Sequence, residues 1–441
     1  MKKLEGRALI CFALALCLVL GLVFFTVRLV KHGDEWASFY ANSHVYVNGQ
    51  LAIGSVYDRN GIMLLENSKD GPEYNSDSEI RKATLHVVGD PKQNISTAAT
   101  YAFRSDILGY NLVTGTYGSI FGSGSDLKLT IDAEVSKAAY QALAGRNGLV
   151  GVYNWKTGEI ICMVSNPGFD PAYDVPSNPP SGTFMNKVLS SASTPGSIFK
   201  LVTCAAALEN IDGIGEWTFN CTGTHIIEGE KITCQSAHGN QDLEDALANS
   251  CNCAFASLSV EMGPEKMNEI VKSLKLTESY DINGIKSMAG SFNFDTYNIN
   301  LGWAGIGQFE DQVNPLSMMV YMGAIAGGGQ AQKPYILMDK SEGSVSLLEP
   351  GIAMQLDAMM RNNVTSNYGD SNYPGLELRA KSGTAEGQKG VAANGWFSGY
   401  SDDYAFIVCV EKGGYGSQAA GPVANKVMQA VKKSAPNSAS N

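Results

Sequence analysis

Ser197-Ile198-Phe199-Lys200 places a nucleophilic hydroxyl one turn away from an amine able to take its proton. Farther on, Ser250-Cys251-Asn252 offers a second hydroxyl, suited to relaying a proton, and a carboxamide. Lys381-Ser382-Gly383-Thr384 adds a cation and hydrogen-bond donors for an anionic substrate end. In that order, these parts acylate a serine without any histidine. Ser197, Lys200 and Ser250 are the catalytic candidates. Asn252, Lys381, Ser382, Gly383 and Thr384 are the substrate-binding candidates.

The elements around these motifs separate them from look-alikes. Ser125-Asp126-Leu127-Lys128 runs into the alternating Leu129-Thr130-Ile131, a predicted strand, where residues three apart face opposite sides. Lys156-Thr157-Gly158 lies between two apolar runs and reads as a hairpin turn. Ser291-Phe292-Asn293 sits in a Gly/Asn/Asp-rich stretch without helical period. By contrast, Thr194-Pro195-Gly196 breaks the chain, and Ser197 to Leu208 is predicted to be an apolar helix with Ser197 and Lys200 on one face. A serine at a helix start is most often only an N-cap. The two downstream motifs favour the catalytic reading. So does the apolar company of Lys200 (Ile198, Phe199, Leu201, Val202), which would depress an amine pKa by desolvation.

With these motifs the chain resembles the class B penicillin-binding proteins, monofunctional peptidoglycan D,D-transpeptidases. Asp58-Arg59-Asn60-Gly61 is similar to the family's N-terminal signature, with Gly54-Ser55 where Arg-Gly is usual. Leu129-Thr130-Ile131-Asp132, Ser165-Asn166-Pro167-Gly168-Phe169-Asp170-Pro171 and Gly305-Ile306-Gly307-Gln308 before Asn314-Pro315-Leu316 also fit, with Phe309 replacing a glycine. Ser382 stands where threonine is commoner. The resemblance implies a five-stranded antiparallel sheet sandwiched by helices, with a helical subdomain and the serine in the cleft between them. It implies that Ser197 is acylated by a stem peptide ending in D-Ala-D-Ala and passed to an amine, with β-lactams leaving a slow acyl-enzyme. Backbone N–H groups of Ser197 and Thr384 would form the oxyanion hole. No metal or organic cofactor is required for that chemistry. A membrane-embedded glycan polymerase of the shape, elongation, division and sporulation family is the implied partner. D,D-carboxypeptidase and serine β-lactamase share the three motifs and stay open, as do a membrane β-lactam receptor and a silent wall-synthesis scaffold.

At 441 residues the chain has room for two or three domains. With 44% hydrophobic and 17% charged residues it reads as an ordinary globular protein, predicted strands at both sequence ends with helices between them make it α/β (α+β), and the net charge of −11 argues against nucleic-acid binding. Lys2, Lys3 and Arg7 precede an uncharged run from Ala8 to Val27, long enough to cross a bilayer. Its length, and the Arg28, Lys31 and His32 that follow in place of a small-residue cleavage site, favour an anchor over a cleaved signal. The expected organisation is a cytoplasmic tail (1–7), a transmembrane anchor (8–27), a mostly β pedestal (28–127) and the catalytic domain (128–436). Charge alone gives a weak orientation, and the resemblance requires the catalytic domain outside the cell. Within the pedestal, 38–57 reads as strand and 66–78 as loop; Gly115, Gly118, Gly122 and Gly124 mark a flexible approach to the next domain.

Cys162, Cys204 and Cys409 lie in apolar runs and are expected to be buried small hydrophobes. Cys221, Cys234 and His238 bracket a predicted hairpin, with Asp242 just beyond. A Cys221–Cys234 disulfide, a structural zinc site completed by Asp242, and plain reduced thiols all fit that spacing.

Overall fold

The computed structural model describes residues 2–39, 45–47, 50–68, 70–113, 115, 125–173, 175–294, 296–386 and 390–434. Helix α1 (Lys2–Ala37) contains the apolar run and continues well past it. Among the described residues it is the one helix long and apolar enough to cross a membrane, and that stretch is unburied.

The segment that follows builds a four-stranded sheet from β1 (Ser55–Tyr57), β2 (Met63–Ser68), β3 (Gly71–Tyr74) and β4 (Asp126–Lys128), in the order β3-β2-β1-β4. The expectation of loop over 66–78 is therefore corrected at 66–68 and 71–74, which are strand. Glu66 and Ser68 face water while Leu65 and Asn67 are buried, and Asn67 Nδ2 bonds the Gly54 carbonyl, so a strand with one wet face reads as a polar run. Of the expected strand over 38–57, residues 40–44, 48 and 49 lie outside the described residues; among the described ones, Ser38 is bonded to the end of α1, and Tyr46–Val47, Gln50–Leu51 and β1 are strand. Gly118, Gly122 and Gly124 fall outside the described residues.

Helix α2 (Ser78–Val88), capped by Asp77, packs on α3 (Ala133–Leu143) and on the catalytic sheet. The Asp58-Arg59-Asn60-Gly61 turn explains its own composition. Buried Asp58 accepts N–H bonds from Asn60 and Ile62 with Oδ1 and from Ala133 with Oδ2, while Asn60 donates to Asp132, the N-cap of α3.

The catalytic sheet comprises β5 (Gly148–Asn154) and β6 (Ile160–Asn166), joined by the Lys156-Thr157-Gly158 turn, and three strands from the far end of the sequence. Between them lie α4 (Lys200–Asn210), the short strands β7 (Phe219–Cys221), β8 (Thr224–Ile227), β9 (Glu230–Thr233) and β10 (Gly239–Gln241), then α5 (Leu243–Ala248), α6 (Asn252–Ser273), α7 (Pro315–Ala326) and α8 (Pro350–Asn362). The sheet is completed by β11 (Arg379–Ala385), β12 (Asn394–Ser401) and β13 (Tyr404–Val410), and α9 (Gly421–Ser434) follows. The order is β11-β12-β13-β5-β6, antiparallel throughout.

Alternation along β13 sets the two cores. Ala405, Ile407 and Cys409 belong to the core that α7 packs on and α4 shares, whereas Phe406, Val408 and Val410 belong to a second core with Val135 and Ala139 of α3 and Val423 and Val427 of α9. The expected helix–sheet–helix sandwich is thus present, with β11 at its edge. Cys162, Cys204 and Cys409 are buried, as their apolar runs predict.

Candidate active site

The predicted helix from Ser197 begins differently. Gly196–Phe199 form a 3-10 turn, and the α-helix starts at Lys200. The correction helps the chemistry, because residues three apart eclipse each other in a 3-10 turn. Gly196 makes the approach possible. It has φ +57°, and a Cβ there would stand 2.6 Å from the Thr384 carbonyl oxygen. Gly383 answers from the other side, since its Cβ would lie 2.8 Å from the Pro195 carbonyl. Two glycines therefore let the serine turn lie against the edge strand.

The structure gathers all eight predicted residues around one cleft of about 460 Å³, lined by Ser197, Ser250, Asn252, Ser382 and Thr384. Lys200 and Lys381 lie beneath it, both fully buried. Lys200 Nζ donates to the Ser250 carbonyl (2.6 Å), to Asn252 Oδ1 (2.7 Å) and to Ser250 Oγ (3.2 Å). The first two partners are pure acceptors. A neutral amine satisfying them has spent both its hydrogens, which leaves its lone pair for a hydroxyl. Ser197 Oγ makes no hydrogen bond with Lys200 in this resting geometry.

Lys381 Nζ donates to Ser250 Oγ (2.9 Å) and to the Ser382 carbonyl (2.9 Å). While Lys200 is protonated, Ser250 Oγ accepts from both lysines and its own proton is left to point elsewhere. Burial pushes the Lys200 amine down to about 8, with the thiols of Cys251, Cys234 and Cys253 pulling it partly back. Burial first, and then the charge of Lys200, holds Lys381 well below the usual lysine range. Asn252 is fixed at its other end by donating to the Thr233 carbonyl (2.9 Å).

The outer edge of β11 supplies backbone groups. Ser382 N–H points away from β12, toward the Tyr368 hydroxyl (2.9 Å), so Thr384, two residues on, points the same way. Gln308 Nε2 donates to the Thr384 carbonyl (3.3 Å). The first-turn N–H of Ser197 has no acceptor within its own helix. The sequence marks Gln308 only as part of the Gly305-Ile306-Gly307-Gln308 motif and carries no signal for Tyr368.

The cysteine segment departs from expectation in one ligand. Asp242 caps α5 through the Asp245 N–H (2.8 Å), and Cys251 stands with Cys221, Cys234 and His238 instead. Their ligand atoms lie within 4.8 Å of one another. The sulfurs of Cys221 and Cys251 are 3.8 and 3.6 Å from that of Cys234, and all are free thiols.

A sequence profile described as the penicillin-binding protein transpeptidase domain matches residues 148–429. The chain belongs to the penicillin-binding protein transpeptidase family. Two curated relatives of this penicillin-binding protein show how the match is distributed. It is 30% identical over 225 residues to Stage V sporulation protein D of Bacillus subtilis, covering 48% of this chain but only 34% of that one. It is 24% identical over 364 residues to the peptidoglycan D,D-transpeptidase PbpA of Mycobacterium tuberculosis, covering 71% and 74%. In fold, it matches M. tuberculosis penicillin-binding protein A in its ceftriaxone acyl-enzyme complex with TM-score 0.76, at 20% identity, over 86% of this chain and 98% of that one. A D,D-transpeptidase domain from Eggerthella lenta matches with TM-score 0.74 at 22% identity, with the same coverage.

Proposed function

We propose that this penicillin-binding protein is a serine peptidoglycan D,D-transpeptidase. Ser197 Oγ attacks the D-Ala-D-Ala amide carbonyl, Lys200 takes the hydroxyl proton, and the oxyanion rests on the N–H groups of Ser197 and Thr384. Collapse expels D-Ala, whose amine takes a proton relayed through Ser250, and leaves an ester on Ser197. An acceptor amine then attacks the ester, forms the cross-link and frees the hydroxyl. Asn252 orients Lys200 and the peptide, and the Lys381-Ser382-Gly383-Thr384 edge receives the terminal carboxylate. The observation that carries this reading is the single Ser250 hydroxyl shared by two buried lysines beside Ser197. Substituting Ser197→Ala should abolish labelling by a fluorescent penicillin at unchanged melting temperature. Mass spectrometry that finds the adduct on another side chain in the native protein would remove Ser197 from its role.

Helix α1 would anchor the chain in one pass with the catalytic domain outside the cell. With the pedestal, it would face a membrane-embedded polymerase of lipid-linked glycan.

The Cys221, Cys234, Cys251 and His238 cluster would hold a structural zinc ion. A tetrahedral site with Zn–S bonds of ~2.3 Å has S···S edges of about 3.8 Å, close to the spacings present. His238 Nδ1 is buried without a partner, and a hydrogen bond from Cys251 holds the Cys234 thiol below the usual thiol range. The ion would brace the Ser250 loop and take no part in acyl transfer. Metal analysis of the purified protein should give one zinc per chain; no zinc, with two thiols lost, supports the disulfide instead.

A further inference from the structure

We infer that Tyr368 is a positioning residue that sets the rotamer and donor direction of Ser382, a deepening that rests on the transpeptidase reading above. Helix α8 ends in a π-turn, Asn363–Tyr368, and such turns recur at functional sites. The turn delivers the Tyr368 ring edge-on to Phe397 of β12, with its hydroxyl on the outer edge of β11. That hydroxyl meets two polar groups of Ser382, the backbone N–H at 2.9 Å and Oγ at 3.1 Å.

The direction of the two bonds follows from the inventory of protons. The Ser382 N–H has only a donor role, so the phenol oxygen accepts from it. The phenol then has one proton, and its described hydrogen bonds all go to Ser382. It donates that proton to Ser382 Oγ, since a half-buried O–H left without an acceptor is costly. Ser382 Oγ, already an acceptor from Tyr368, keeps its own proton for the cleft it lines. That is the position from which a hydroxyl donates to a substrate carboxylate.

The serine itself makes the clamp necessary. A threonine at this position would have its χ1 restricted by β-branching, whereas serine rotates freely. Tyr368 supplies from outside the strand the restraint that the side chain lacks.

The test compares acylation of the full-length, membrane-reconstituted protein by a penicillin and by the same penicillin with its carboxylate blocked as a methyl ester. Tyr368→Phe removes the donated proton and keeps the ring. It should cut the acid-to-ester ratio of second-order acylation rates about tenfold, with the ester rate itself little changed. In a Ser382→Ala background, Tyr368→Phe should leave the ratio where Ser382→Ala alone puts it. Equal losses for acid and ester, an unchanged ratio, or losses that multiply in the double variant would each overturn the inference. A native protein that takes up neither compound would instead overturn the transpeptidase reading, and this inference with it.

Discussion

Two buried lysines converge on one hydroxyl, and their protonation decides what that hydroxyl is able to do. Lys200, pushed down by burial to about 8, is mostly charged at pH 6 and mostly neutral at pH 9. Only the neutral amine accepts the Ser197 proton. The acylation rate by a β-lactam should therefore climb close to tenfold per unit below pH 8 and level off above it. A profile flat between pH 6 and 9, measured by stopped-flow or quenched labelling, would exclude Lys200 as the base. At this scale the sequence revealed the three motifs because each packs its chemistry into four residues or fewer. Tyr368 was illegible, since it reaches Ser382 from fourteen residues upstream by way of an irregular turn.

At the scale of elements, close approach between the serine turn and the edge strand makes the site. Gly196→Ala would place a methyl 2.6 Å from the Thr384 carbonyl, at a backbone angle that alanine disfavours. Displacing Ser197 by even an ångström should lower acylation about 100-fold. Circular dichroism should meanwhile show the secondary structure intact; wild-type rates in this variant would show that the approach is not needed. The cysteine cluster makes a second prediction. Removing metal with a strong chelator should lower the melting temperature by about 5 °C or more and slow acylation, because Cys251 is the residue between Ser250 and Asn252. Restoration by zinc, and by no other addition, would check the assignment. Within the zinc alternative, spacing along the chain offers Cys221, Cys234 and His238 with Asp242 as the fourth group. Asp242 lies nearer along the chain, yet the orphan N–H groups at the start of α5 claim its carboxylate.

Across the whole molecule, the pedestal and catalytic sheet are joined by polar as well as apolar contacts. Arg81 of α2 grips Asp170 with two bonds of 2.8 and 2.7 Å, and both side chains are nearly buried. Arg81→Ala would leave Asp170 without its partner and should cost roughly 2–4 kcal/mol, read as a lowered midpoint in urea. The Arg81 bond holds the Asp170 carboxyl below its usual range. This contribution is therefore present above the ordinary carboxylate pKa and is lost as pH falls through the lowered one. An Arg81→Ala midpoint equal to that of the native protein would show that this ion pair adds nothing to the docking of the pedestal.

Composition and local spacing were enough to pick out the apolar N-terminal helix, the strands of the catalytic sheet and the candidate reacting groups. Each of these depends on neighbours along the chain: an unbroken apolar run, a period of two, a serine and lysine three apart. What only the folded chain decided was which distant groups meet. Folding made strands of 66–68 and 71–74 by giving one polar face to water, brought Cys251 to the metal-type cluster, and laid Tyr368 against Ser382. Pairings of that kind are set by how sheets and helices stack, and stacking leaves no periodic mark on either partner's sequence.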